Sequence, residues 1–586
     1  MPHASHPLSI LLLRFAALLA APAASAQYVF VGPASDPDCD YATIQDAVDA
    51  WAASSSPDFL TVYVTSAQAY AAAAISIPTP AASSGISLNG SMPSCHLQAA
   101  GAPAVLDGAG NGGVPVIDVD GSVAGDARRF EVTLGQIAIT GGDHAGNGGG
   151  VRARGNVVLT LFEADVHDNT ADYGGGVSVE ATAAGAPQLI FVGNVAAAAI
   201  RDNHATQDGG GLYCANADVY CDRYCDISGN VAAGNGGGIA QQACTTALYP
   251  SPSTEVDPAV GIRSNTATGD GGGAWASGGS FNLGAGNPLK LAPVAGNSAG
   301  GSGGGLYLTG VGAGGSLLFR GVQFDDNSAG GDGGALYADT SLLMIDAPFT
   351  VGCGGVFDDC PRFRGNHATG TGGALALAGD ASLLAWNLVF ADNDAAHASV
   401  LQIGASGAGA TLIDAHVAAN HGAPELVRSS GGYLDLRYVT IADNGDDDDA
   451  LIRYDAPGGF SAGNSILWDG GGAAGVVLAA PVGSTFHVDC VLVHEDSALA
   501  GQPGVTDLVV ADPQWDTSGA YSAGMYVPGP DSAAVDACGP GPGNIADLVG
   551  TLRPQDLPKP DAAGTYDMGA IERVPDVIFA DGWELP

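Results

Sequence analysis

The chain has 586 residues, 90 of them glycine, and sets 18 basic against 61 acidic side chains for a formal net charge of −43. With 46% hydrophobic residues it is too apolar for disorder, and it lacks the G-X-Y period of collagen. The negative field excludes nucleic acid, anionic lipid and polyuronates as partners, leaving neutral sugars, cationic partners or divalent cations.

At the N-terminus, Arg14, the apolar residues 15–21 and the small residues Ala24, Ser25 and Ala26 read as a secretory signal over residues 1–26. No later stretch has the ~20 uninterrupted apolar residues a membrane helix needs, so no transmembrane segment is expected after signal removal. Ten cysteines follow, an even number that suits an oxidising compartment. They cluster as Cys39 and Cys95; Cys214, Cys221, Cys225 and Cys244; Cys353 and Cys360; Cys490 and Cys538. Bridges are expected within clusters. No histidine sits at ligand spacing from Cys221 and Cys225, which argues against zinc there. Residues 27–135 read as an N-terminal cap and first coils. Ile44, Ala47 and Val48 share one face of a short helix over residues 41–50, and residues 60–64 alternate as the first strand.

Residues 136–470 carry the strongest signal, a repeat. Asparagine recurs at Asn169, Asn203, Asn230, Asn265, Asn297, Asn327 and Asn366, with alanine two positions later and an apolar residue three positions earlier. A glycine cluster opens six residues after each asparagine, five in the first case. The asparagine-to-asparagine distance varies, at 34, 27, 35, 32, 30 and 39 residues. A rigid corner joined by loops of variable length gives that pattern, because lengthening a loop costs little entropy. After the glycines the residues alternate, as in a strand with one buried face. Asparagines stacked at the ~4.8 Å strand spacing can bond amide to amide as a structural ladder. Past residue 380 the glycines fade, while Asn393, Asn420 and Asn444 keep an apolar residue three positions before them. With Gly142 at the start and Asn464 at the end, twelve corners are expected.

Phe324 to Asn327 with Gly333 to Leu336, and Phe363 to Asn366 with Gly372 to Leu375, resemble the F-x-x-N and G-G-A-[ILV] repeats of chlamydial polymorphic outer-membrane proteins. The resemblance spans roughly residues 136–445 and implies an exported β-helix passenger of an adhesin. The chain departs from that family in lacking a C-terminal run of amphipathic barrel strands, so self-export is not expected. The helix at 41–50 and residues 105–108 resemble the opening of pectate-lyase-like β-helix proteins, where such a helix caps the first coil. Residues 471–574 read as last coils and a C-terminal segment; residues 534–537, 552–554 and 566–572 are similar to the terminal segment of secreted bacterial β-helix repeat proteins. The tail, residues 575–586, looks like a sorting signal of exported gammaproteobacterial proteins.

The expected fold is all-β: a single-stranded right-handed parallel β-helix with a short N-terminal capping helix. No catalytic constellation emerges. The acids preceding the asparagines (Asp168, Asp202, Asp326, Asp392 and Asp443) read as turn residues, as do Asp208, Asp270, Ser302, Asp332 and Thr371 before the glycines. His167, His204, His367, His397, His416 and His421 fall near the corner without ligand spacing. Calcium is the one cofactor raised, at the acidic run Asp446, Asp447, Asp448 and Asp449. Tyr213, Trp275, Tyr307 and Tyr337 are expected to project outward from one sheet face as a contact surface for a glycan or cell-surface protein. The functional expectation is a secreted or surface-associated adhesion, binding or structural module. The alternative is a secreted glycosidase or lyase acting on a neutral polysaccharide.

Overall fold

The computed structural model describes residues 27–574 except 55–58, 81–82, 97–100, 123–128, 195, 223, 251–259, 286–290, 313–316, 340–341, 347–359, 406, 446–449, 469–475, 496–497, 519–523, 542–545 and 557–563. The signal, the tail, Cys353 and the acidic run Asp446 to Asp449 therefore lie outside the described residues.

The chain winds as a right-handed parallel β-helix with three sheets of 27, 9 and 14 strands, in which each strand pairs in parallel with its equivalent one coil on. One coil shows the plan. Gly261–Arg263 lies on the first face; the chain turns at Asn265 into the two-residue strand Thr266–Ala267 on the second. It passes the glycines into Ala274–Ser277 on the third face and returns to the first at Ser280–Gly284. Alternate residues point inward, so Val166, Ile200, Ile227, Ile262, Val294, Phe324, Phe363 and Phe390 form one buried column. The last three stack ring on ring at 4.7 and 5.2 Å.

Two glycines show why the glycine columns exist. Gly303 has φ +69°, a left-handed turn where a side chain is strained. A Cβ on Gly304 would collide with the Gly334 and Ser328 backbone of the next coil.

At the N-terminal end, α1 (Ile44–Ala52) is capped by Thr43, whose side chain accepts the Asp46 N–H at 3.1 Å. Its buried face (Ile44, Ala47, Val48, Trp51) closes the first coil, as expected. One detail differs. The first strand is Gln27–Val31, which pairs with Leu60–Thr65, so the strand expected at 60–64 is the second. Disulfides join Cys39–Cys95, Cys214–Cys244, Cys221–Cys225 and Cys490–Cys538, all within the expected clusters. Cys360 is also disulfide-bonded.

Toward the C-terminal end the first face fuses into long strands: Ser382–Ala391, Gly409–Ala418, Tyr433–Ala442, Gly459–Leu467 and Thr485–Val493. Each bends at one residue with positive φ: Asn387, Asp414, Tyr438, Asn464 and Cys490. Asn464 is therefore not the twelfth corner. The pairing of Ile441 with Leu467 puts the equivalent of Asn444 beyond the strand, and Asn464 occupies the bend.

Candidate functional site

The corner is the most regular chemical feature. From Asn169 to Asn444, ten asparagines including Asn393 and Asn420 are buried in one column. In all but the last, Asn444, the Nδ2 donates to the Oδ1 of the next asparagine at 2.8–3.0 Å. Its second hydrogen goes to the carbonyl of the apolar residue one coil back, at 2.9–3.1 Å. Each Oδ1 also accepts the backbone N–H of the preceding asparagine. Every polar atom of the amide is satisfied, which is what makes a buried polar column stable. The residue before each asparagine has positive φ: Asp168, Asp202, Gly229, Ser264, Gly296, Asp326, Gly365, Asp392, Ala419 and Asp443. Glycine and short polar side chains adopt that backbone most readily, so the mixture of Asp and Gly reflects geometry.

A second ladder, not anticipated as such, runs beside the glycines. Asp208 Oδ1 accepts Asn235 N–H, Asn235 Oδ1 accepts Asp270 N–H, and Asp270 Oδ1 accepts Ser302 N–H, at 2.6–2.8 Å. Ser302 Oγ then accepts Asp332 N–H at 3.1 Å, and Asp332 Oδ1 accepts Thr371 N–H at 2.8 Å. Aspartate alternates with a neutral residue. Like charges thus stand two coils apart, about 9.6 Å instead of 4.8 Å, which halves their repulsion.

The third face brings Tyr213, Ala240, Trp275, Tyr307 and Tyr337 into one column by strand register. Their exposure differs from expectation. Tyr213 is buried, its ring covered by that of Tyr173 at 5.1 Å; Trp275, Tyr307 and Tyr337 are half-buried. Tyr307 and Tyr337 stack at 4.7 Å with planes 1° apart, so they turn one ring face each toward the other. A sugar cannot lie on the faces they share. Edges and hydroxyls face out, and burial with nearby Asp339 pushes the Tyr337 hydroxyl up to about 12.

Every described arginine except Arg129 and Arg320 lies in an ion pair with a carboxylate, as in Arg152–Asp118 (2.6 Å), Arg201–Asp165 (2.7 Å) and Arg362–Asp325 (2.8 Å). Few cations are left to hold an anionic ligand. Two histidines bracket one acid: His367 Nδ1 lies 2.8 Å from Asp394 Oδ2, and His421 Nδ1 lies 3.9 Å from Asp394 Oδ1.

The densest buried network was not anticipated. The described residues between 512 and 574 form a strap across the outside of the long strands. Beneath it, the outward column Val389, His416, Thr440, Ile466 and Leu492 is buried, each side chain at most 3% exposed. In the preceding coils the same column reads Asp165, Ala199, Asp226, Gly261, Pro293, Gln323 and Arg362, with Asp165, Gln323 and Arg362 partly exposed. Arg553 reaches down from the strap with a fully buried side chain. It pairs with Asp414, lies 3.4 Å from Glu572 Oε2, donates to Gly569 O at 3.0 Å and sits 4.0 Å over the Tyr438 ring. Arg573 pairs with Asp516 and donates to Pro528 O. Burial, with Asp567 nearby, pushes the Glu572 carboxyl up to about 8; burial also pushes Asp567 up to about 6 and the His416 imidazole down to about 4. The advance sign of this network was the resemblance of residues 552–554 and 566–572, which hold Arg553, Asp567 and Glu572, to a terminal segment of secreted β-helix repeat proteins.

Against known proteins, residues 321–339 match the Chlamydia polymorphic membrane protein repeat. Neither the curated proteins nor the solved structures contain a significant match. The matched stretch runs from Gly321 through the ladder residue Asn327 to Asp339 and includes Tyr337, so the resemblance rests on one corner and the strand after it.

Proposed function

We propose that this chain is a secreted or surface-associated β-helix that works as a contact and structural module, presenting its uncovered coils to a neutral glycan or a cell-surface protein. The observation that carries the reading is the strap. An enzyme of this architecture needs ionisable groups converging in an exterior groove that substrate can reach. Here the densest such convergence, Arg553 with Asp414 and Glu572, is sealed under the C-terminal segment. The match to a membrane-protein repeat supports association with a cell surface, and the saturation of arginines by carboxylates favours uncharged or cationic partners over anionic ones.

The contact face is the third sheet around Trp275, Tyr307 and Tyr337. The test is binding to arrays of neutral glycans and surface proteins, with Trp275→Ala and Tyr307→Ala beside the wild type. At least tenfold weaker binding in either variant supports the assignment, and unchanged binding removes the face. Release of reducing ends from a neutral polysaccharide would overturn the module reading in favour of a glycosidase.

A further inference from the structure

We infer that the lip of the first coil, formed by Asp36, Asp38 and His96, binds a divalent transition-metal ion, with zinc the best match. The lip folds back on the edge strand: Asp40 and Tyr41 both donate their N–H to Phe30 O, at 2.9 and 3.1 Å, and Gly32 N–H returns to Tyr41 O at 3.1 Å. The Cys39–Cys95 disulfide, with Cα atoms 5.3 Å apart, ties this lip to the end of the strand Gly85–Met92 region. Asp38 precedes one bonded cysteine and His96 follows the other, so the cross-link holds carboxylate and imidazole face to face. His96 Nδ1 contacts Asp38 Oδ2, and His96 Nε2 lies 4.0 Å from Asp36 Oδ1. One ligand atom from each of the three residues lies within 4.8 Å of the other two.

Acidic side chains are everywhere on this surface, so they alone would mean little. Two features set the lip apart. The imidazole supplies a borderline-soft nitrogen that suits zinc, copper or nickel and is a poor ligand for calcium. And among the described residues it is at this lip that a histidine and two carboxylates bring one ligand atom each within 4.8 Å of one another, with no arginine or lysine paired to Asp36 or Asp38. Metal–ligand bonds of ~2.0–2.2 Å need donor atoms about 3–4 Å apart. Small rotations of these side chains, 21–55% exposed, bring the atoms to that spacing. The ion would take two carboxylate oxygens, one imidazole nitrogen and water. It would pin the lip across the strand Gln27–Val31, the open edge of the solenoid.

The test uses the oxidised full chain, without a histidine tag and stripped by chelator. Zinc is titrated by calorimetry, copper is added for electron paramagnetic resonance, and amide exchange of residues 27–31 is followed with and without zinc. Expected are one tight zinc equivalent, a copper signal split by one nitrogen, and slower exchange at 27–31. His96→Gln should weaken zinc at least tenfold and remove the nitrogen splitting; Asp36→Asn with Asp38→Asn should weaken zinc while leaving the splitting. Absence of binding, equal affinity and splitting in His96→Gln, or loss of the zinc equivalent in His367→Gln with His421→Gln instead, each overturns the assignment. The wild-type arm reads the same inference in a chain whose folding is not altered.

Discussion

Replacing Asn297 by alanine probes the corner ladder at its middle. The Asn297 Oδ1 accepts both the backbone N–H and one Nδ2 hydrogen of Asn265, each at 3.0 Å, and its own Nδ2 donates to Asn327 Oδ1 and Ile262 O at 2.9 Å. Alanine orphans two buried donors on Asn265, at about 1–3 kcal/mol each, for about 2–6 kcal/mol in all. Asn169 is the built-in control. Its Oδ1 accepts the Gly142 N–H alone, since glycine has no side-chain amide to offer. Asn169→Ala therefore orphans one donor and should cost about 1–3 kcal/mol. The assay is native-state hydrogen exchange, because coils of a solenoid open locally. A difference of about 2 kcal/mol makes the Asn265 amide exchange roughly thirtyfold faster in Asn297→Ala than the Gly142 amide does in Asn169→Ala, each relative to wild type. Equal acceleration at both sites, or none at Asn265, would refute the idea that amide-to-amide bonding carries the corner.

The strap supplies the next tests. Arg553→Met should leave Asp414 charged and buried, costing about 3–5 kcal/mol of docking, and limited proteolysis should then cut within residues 512–574 first. The pH dependence has a definite sign. Burial holds Glu572 above its ordinary value, so its contribution to docking is complete below about 4.5 and is lost as pH rises through about 8. His416 is held low, so its contribution is complete above 6.5 and is lost as pH falls toward about 4. Between pH 6.5 and 8 Glu572 is the carboxyl held furthest above its ordinary value, so exchange at residues 547–572 should speed up across that window more in wild type than in Glu572→Gln. In the glycine columns, Gly304→Ala should destabilise by at least the 1–3 kcal/mol of overpacking, whereas Gly305→Ala should cost less. The Gly304 column is glycine in the neighbouring coils (Gly272, Gly334, Gly373), while Ala335 and Ala374 already stand in the Gly305 column. Thermal melts of the two variants decide it.

The corner was legible because it is local and repeated. Asparagine, the apolar residue before it and the glycines after it lie within ten residues, and the same physical demand recurs in every coil. Cysteine clusters were legible too, but the choice of Cys221–Cys225 and Cys214–Cys244 within the cluster of four is made by the coils. What escaped depends on contacts between distant segments. His96 meets Asp38 only because a bridge spans 56 residues. Arg553 meets Asp414 across 139 residues, and nothing near either one announces the other. The aromatic column was placed in register, but the ring of Tyr173, in the preceding coil, was needed to know that Tyr213 is covered. Asn464 misled because an asparagine tolerates positive φ as readily as it joins a ladder, and composition cannot distinguish the two.

The apparent decay of the repeat after residue 380 has the same origin. The outward column four residues before each asparagine changes from a mixture of polar and small residues (Asp165, Ala199, Asp226, Gly261, Pro293, Gln323 and Arg362) to Val389, His416 and Thr440, and Ile466 and Leu492 continue it. An exterior position in a β-helix is polar where water reaches it, and burying each of Val389, Ile466 and Leu492 under the strap contributes about 1.5–3 kcal/mol. The repeat has not degenerated there. Its outer face has acquired a second layer, and the motif is rewritten to suit it. By the same reasoning, the sequence of an outer column reports what lies over it: the run from Val389 to Leu492 marks the coils beneath the strap.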